Sequence, residues 1–122
     1  MKIKMIAEIG LNHLGKESYL DQYLSILKKK KIHGVSIQIP KKIKMSENQK
    51  KFLLNDNVIK RFVKKAKKKF KIVGITTSDE NKVNFLAKQK IDFFKVTSGM
   101  ISNINLIKKM NMTKIKKIYL ST

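Results

Sequence analysis

The chain has 122 residues and is 42% hydrophobic, enough for one domain with its own core and too little for two ordinary ones. It carries 29 Lys and Arg against 8 Asp and Glu, a formal net charge of +21. With no cysteine, a disulfide framework and a thiolate metal site are both excluded, and no apolar run reaches the length of a membrane span.

In chain order, "MKIKMIAEIG" is basic and then apolar, like the front of a signal peptide. Glu8 interrupts the apolar stretch and no small-residue cleavage site follows, so a cytoplasmic location is expected. "IKMIAEI", from Ile3, is the first predicted strand, and it runs into a loop carrying Asn12 and His13. Leu20, Tyr23, Leu24 and Leu27 then fall at helical spacing, ahead of lysines 28–31, whose cations suit a helix C-terminus. "GVSIQI" from Gly34 is the second strand, and residues 41–54 read as a long irregular excursion. Val58, Ile59, Phe62, Val63 and Ala66 make the apolar face of a second helix. "KIVGIT" from Lys71 is the third strand, and "SDEN" after it reads as a cap before a helix with Val83, Phe85, Leu86 and Ala87. "DFFKV" from Asp92, a helix with Ile104, Leu106, Ile107 and Met110, and "KIYLS" from Lys117 complete the pattern.

Strands alternating with helices imply a parallel sheet with helices packed outside it, and the near-continuous apolar runs suit strands buried on both faces. An open doubly wound sheet and part of a (β/α) barrel both fit. In either, functional groups gather at the C-terminal ends of the strands.

The charge invites a polyanion-binding reading. Only Arg61 among the 29 basic residues is arginine, the aromatics fall at core-like positions, and no helix-turn-helix or RNA-binding signature is present. Lysine filling solvent-facing helix positions is the simpler account, with weak nonspecific binding to polyanions and no specific nucleic-acid partner expected.

The strand ends carry Glu8, Asn12 and His13, then Gln38, then Thr76, Thr77, Ser78 and Asp79, then Lys95, Thr97, Ser98 and Asn103, and lastly Ser121 and Thr122. Hydroxyls and a lysine can hold a phosphate, and a carboxylate can bind sugar hydroxyls or move a proton. Any one hydroxyl or amide here is more simply a cap. Glu8 and Lys95, set within apolar strands, are stronger functional candidates, because a charge buried without purpose is costly. Neither a GxGxxG nor a GxxxxGK[ST] loop is present, which argues against dinucleotide and P-loop binding. His13 and His33 share no metal-ligand spacing.

The blocks "IAEIGLNHLG", "GVSIQI", "ITTSDENKVNFLAKQKIDFFKVTSGMISNINLI" and "IYLST", in this order, resemble the sialic acid synthase family of N-acetylneuraminate, pseudaminate and legionaminate synthases. The resemblance covers nearly the whole chain. It implies a TIM barrel that condenses phosphoenolpyruvate with an N-acylated amino sugar to a nine-carbon 2-keto acid, in carbohydrate biosynthesis, with a divalent metal, Mn or Mg. Carried onto this sequence, it implies that Glu8 contacts the sugar or the reacting carbons. Thr76, Lys95, Ser98 and Ser121 line the phosphoenolpyruvate site, with Gln38 and Asn12 nearby. Glu8 and Lys95 are the catalytic candidates.

The chain departs from the family pattern at several places. Ser36 stands where the family has a lysine on the second strand, Thr77 replaces a proline, Leu14 an asparagine and Met100 an acid. The family's metal-binding histidines belong to later strands, so the metal ligands are not expected in this chain. The expected fold is therefore an incomplete TIM barrel over residues 1–122, about five parallel strands with helices outside. Such a chain is expected to be truncated and inactive alone, to pair with itself or a complementary half-barrel, or to be a non-catalytic relic. A small basic polyanion-binding protein is the alternative from another class.

Overall fold

A computed structural model describes residues 3–42 and 45–122. Met1 and Lys2, from the basic start, and Ile43 and Lys44, from the predicted excursion, lie outside the described residues.

Five strands form one sheet: β1 (Ile6–Gly10), β2 (Gly34–Ile39), β3 (Ile72–Thr77), β4 (Phe93–Val96) and β5 (Ile118–Leu120). All neighbours pair in parallel, in the order β1-β2-β3-β4-β5. Helices α1 (Glu17–Lys28), α2 (Glu47–Lys50), α3 (Asp56–Lys69), α4 (Val83–Lys88) and α5 (Ile104–Asn111) fill the connections. Among the described residues no helix is long and apolar enough to cross a membrane.

The strand order decides between the two architectures the pattern allowed. A doubly wound sheet reverses its order partway, which sends helices to both faces. Here the order never reverses, and right-handed crossovers place every helix on one face. The core follows. Val35, Ile37 and Ile39 of β2, Val73 and Ile75 of β3, and Phe94 and Val96 of β4 join Leu20, Leu24, Ile59, Phe62, Val63, Leu86, Leu106 and Met110 from the helices in one buried cluster. The alternate strand residues, among them Ile6, Glu8, Ser36, Ile72, Phe93, Lys95 and Tyr119, line a basin of about 580 Å³ on the other face. The period-2 alternation of each strand thus separates an apolar outer layer from a mixed inner one. This is the winding of a (β/α) barrel, built here from five strands.

The predicted elements are present, with shifted edges. The first strand begins at Ile6, because its ladder opens at the pair Ile6–Gly34. Before it, Met5 is tied instead to the β2 approach, accepting from the His33 and Gly34 N–H groups and donating its own N–H to His33 Nδ1. The third, fourth and fifth strands each start one residue later than predicted. Within the 41–54 excursion the structure adds the single turn α2, where Gln49 Oε1 accepts from the Ser46 N–H. Asn55 caps α3 through the Val58 N–H, Asn103 caps α5 through the Leu106 N–H, and Asp79 caps a one-turn 3-10 helix, Glu80–Lys82, through the Asn81 N–H. For Asp79 and Asn103 the capping account of strand-end polar residues is the correct one.

Two contacts brace this frame, one between helices and one on the inner face. On α1 and α3, Arg61 makes a two-pronged contact with Glu17 at 2.8 and 2.7 Å, and Lys65 bridges Glu17 and Asp21. On β3, Gly74 leaves room for the Phe93 ring: a Cβ there would lie 2.1 Å from it. The ring in turn meets Tyr119 edge to face at 4.9 Å.

The Arg61 hydrogen bond, helped by Lys65 and opposed by desolvation, holds the Glu17 carboxyl at about 2, below its ordinary 4.5. Its contribution to stability is complete above pH 4.5 and is lost as pH falls through about 2. An acid titration followed by circular dichroism should show this loss in the native chain, and Glu17→Gln should remove that part of the acid sensitivity. Separately, Gly74→Ala should destabilise the domain by about 1–3 kcal/mol through overpacking. The penalty should shrink in a Phe93→Ala background, because the clash is with that ring. Urea denaturation of the four chains of this cycle measures both numbers.

Candidate active site

The site grows from an irregularity in β1. Glu8 pairs with Ser36, but the next partner of β2, Ile37, faces Gly10, so β1 bulges at Ile9. Gly10 takes a left-handed φ of +60°, a conformation that suits glycine. The bulge turns the Gly10 N–H onto Glu8 Oε1 at 3.0 Å. One oxygen of the carboxylate is thereby tied to its own strand, and the other faces across the sheet.

That second oxygen, Oε2, gathers groups from three strands. Ser36 Oγ of β2 donates to it at 2.7 Å, Thr76 Oγ1 of β3 at 3.3 Å, and Lys95 Nζ of β4 lies 3.6 Å away. Ser36 and Thr76 are buried, whereas the Glu8 and Lys95 side chains keep about a third of their surface, 34% and 33%, open to the basin. The two charges predicted to be buried are thus half-open, reachable by a ligand. Below them, Ile6, Ile72, Phe93 and Tyr119 separate this cluster from Lys4 and Lys117 at the opposite end of the basin.

Of the predicted site residues, Glu8, Thr76 and Lys95 come together. Gln38 stands beside Thr76 in the β2–β3 register, on the same inner face. Ser98 opens an exposed turn just after β4, and Ser121 follows β5, its N–H donating to Val96 O at 2.9 Å. These three share the C-terminal rim, and their side chains make no hydrogen bond with the Glu8 cluster. Asn12 is not brought in. Its amide donates to Ile9 O at 2.8 Å, and it lines a shallow hollow with Tyr19 and Tyr23 on the α1 side.

Ser36 and Tyr119 complete the cluster and its floor and were not among the predicted site residues. The signal for Ser36 lay in "GVSIQI", where Ser36 and Gln38 put two polar groups on one face of an otherwise apolar strand.

His13 is fully buried, with Nδ1 accepting from the Gly15 N–H at 3.0 Å. Burial lowers its pKa below the ordinary 6.5, with the Gln38 backbone acting in the opposite direction. It orders the loop as a neutral imidazole. Among the described residues no three His, Cys, Asp or Glu side chains are grouped to hold a metal ion. The oxygens of Glu8 already meet Gly10, Ser36, Thr76 and Lys95. Among the described residues the groups present do not fit a metal centre.

A parallel, singly wound sheet with a carboxylate, a lysine and two hydroxyls at one rim of its inner face defines a (β/α)-barrel-type domain. Solved structures share the fold, two of them as follows. One, from Chromobacterium violaceum ATCC 12472, is assigned as spore coat polysaccharide biosynthesis protein E, with TM-score 0.85 and 16% identity over 99% of this chain and 41% of that one. The other is N-acetylneuraminic acid (sialic acid) synthetase from Leptospira borgpetersenii serovar Hardjo-bovis in complex with citrate, with TM-score 0.80 and 22% identity over 89% of this chain and 41% of that one. The chain therefore spans well under half the length of these structures. Residues 8–122 match the NeuB family, and the chain belongs to it. No curated protein sequence gives a significant match.

Because folded His13 binds a proton less readily than the unfolded chain, stability should rise with pH through the window below 6.5 and fall away on the acid side. Urea midpoints on either side of pH 6.5 test this. The sensitivity should flatten in His13→Asn, which keeps an acceptor for the Gly15 N–H.

Proposed function

We propose that this domain contributes the phosphoenolpyruvate end of a sialic-acid-type synthase, which joins phosphoenolpyruvate to an N-acylated amino sugar. The supporting observation is the Glu8–Ser36–Thr76–Lys95 cluster at the rim of the inner face, in a chain of the NeuB family.

In the proposed reaction the methylene carbon of phosphoenolpyruvate bonds the aldehyde carbon of the open-chain sugar. Water supplies the oxygen of the new 2-keto group, and phosphate leaves. Lys95 is the cation of this cluster, and its side chain lines the basin and is one-third exposed (33%), so it is assigned to the phosphate or carboxylate of phosphoenolpyruvate. Ser36 and Thr76 engage Glu8 Oε2, while Oε1 accepts from the Gly10 N–H alone, which suits Oε1 to accept a further hydrogen bond from a sugar hydroxyl or from the attacking water. Ser98 and Ser121, at the ends of neighbouring strands, are assigned to further phosphate oxygens, with Gln38 beside them. Asn12 has no assigned contact, since its amide is already engaged on Ile9 O.

Ser36 favours a second reading. A serine where the family pattern has a lysine removes one cation from an anion site, which is consistent with a non-catalytic descendant. The two readings separate by experiment. Chemical-shift perturbation at millimolar phosphoenolpyruvate reads weak binding at Glu8 and Lys95 directly. Lys95→Met should weaken binding at least tenfold, since a charge-assisted hydrogen bond contributes about 1.5–3 kcal/mol. Ser36→Lys should strengthen it by roughly tenfold on the same scale. Equal affinity in the wild-type and Lys95→Met chains would remove phosphoenolpyruvate from this face. A gain in Ser36→Lys from no measurable binding would support the non-catalytic reading.

A further inference from the structure

On the outer side of the molecule, away from the Glu8 basin, α3 and α4 enclose a groove of about 490 Å³ lined by Lys60, Val63, Lys64, Lys67, Lys68, Lys88, Gln89 and Lys90. Six lysines and no acid line it. Compositional bias alone does not explain where these lysines sit, because α3 divides its cations by face. Arg61 and Lys65, one turn apart, face α1 and are neutralised by Glu17 and Asp21. Lys60, Lys64, Lys67 and Lys68 occupy the i, i+4, i+7 and i+8 positions of the other face. Among the described residues, only Lys67 of the groove has a salt bridge, to Asp92 at 3.7 Å.

The remaining acids are committed elsewhere. Glu47 pairs with Lys50 and Asp56 with Lys82, Asp79 caps a turn, and Glu80 accepts from Asn103. Asp92 is therefore the one carboxylate among the described residues that pairs with a groove lysine, and Lys60, Lys64, Lys68, Lys88 and Lys90 have no salt bridge there. Val63 is the apolar residue of the lining, and the lysines add long aliphatic stems that end in ammonium groups.

We infer that this groove binds a linear phosphate polymer by charge alone, without reading bases. Lysine ammonium groups act as point charges on phosphate oxygens. The arginine fork that reads guanine and the aromatic face that stacks single-stranded bases are both missing from the lining. Spaced phosphates with exchangeable counter-ions match the spaced ammonium groups of Lys60, Lys64, Lys68 and Lys88, none of which has a salt bridge among the described residues. A polynucleotide backbone and inorganic polyphosphate supply this same chemistry.

The test is equilibrium binding of the purified chain to a thymidine oligonucleotide, an inorganic polyphosphate and a polyglutamate of matched charge, each over a salt series. Two variants of equal net charge are compared with wild type. One neutralises the groove (Lys60→Gln, Lys64→Gln, Lys68→Gln, Lys88→Gln), and the other neutralises exposed lysines elsewhere (Lys30→Gln, Lys108→Gln, Lys114→Gln, Lys116→Gln). All eight side chains are exposed, and thermal melts verify that both variants stay folded. The groove variant should flatten the slope of log K against log salt by about 3, at roughly 0.7 per contact on a single strand, with the other variant close to wild type. Preference for the oligonucleotide or for polyphosphate identifies the source of the phosphates. Equal losses in both variants would mean diffuse attraction and overturn the proposal. So would polyglutamate binding as tightly as the phosphate polymers, or no binding at low salt.

Discussion

The whole arrangement depends on one constraint, the parallel pairing of consecutive strands. A parallel partner can be reached only by a crossover, and right-handed crossovers between successive neighbours put every helix on the same side of the sheet. The helices then cover one face and leave the other free of them. That face need not be apolar. Each strand can present Val, Ile or Phe outward and Glu, Ser, Thr or Lys inward without conflict, because the two sets point in opposite directions from the same backbone.

Within this frame the inner face is organised by small departures from regularity. The bulge at Ile9 ties one Glu8 oxygen to Gly10 and frees the other to meet groups from three further strands. Gly74 admits the Phe93 ring, which with Tyr119, Ile6 and Ile72 forms an apolar floor under the polar cluster. A carboxylate and a lysine on neighbouring strands remain part-exposed above that floor. The pair is therefore weakly committed to itself and open to a ligand, in contrast to the two-pronged Arg61–Glu17 contact, which joins two helices.

The electrostatics of the outer surface follow a similar division of labour. Eight acids cannot neutralise 29 basic residues. The fold places them where they hold elements together, between α1 and α3, at the start of α3, and at turns and strand ends. Much of the remaining charge stays on the solvent side, and one concentration of it, between α3 and α4, forms a groove. Net charge alone predicts attraction to polyanions, while the location of that attraction depends on which helix face packs against which neighbour.

Much of this was legible in the order of residues. The periodicities of "GVSIQI" and "IVGIT", and of Val58, Ile59, Phe62, Val63 and Ala66, are local properties, so strand and helix types, the buried face of each helix and the parallel class could be read directly. Glu8 and Lys95 stood out because charge is rare in apolar strands, and the ordered motif blocks pointed to the family to which the chain belongs. Other features depended on contacts between residues far apart in the chain. Ser36 reaches Glu8 across 28 residues and Thr76 across 68. The bulge in β1 is defined only against β2, and the edge of β1 is set by where Gly34 begins to pair. The sequence by itself determined the elements, their alternating faces and the candidate charges, because these follow from local stereochemistry and spacing. Only the tertiary structure decided the strand order, the meeting of four strands at one carboxylate oxygen, and which lysines find a counter-ion, because register and packing are relations between segments.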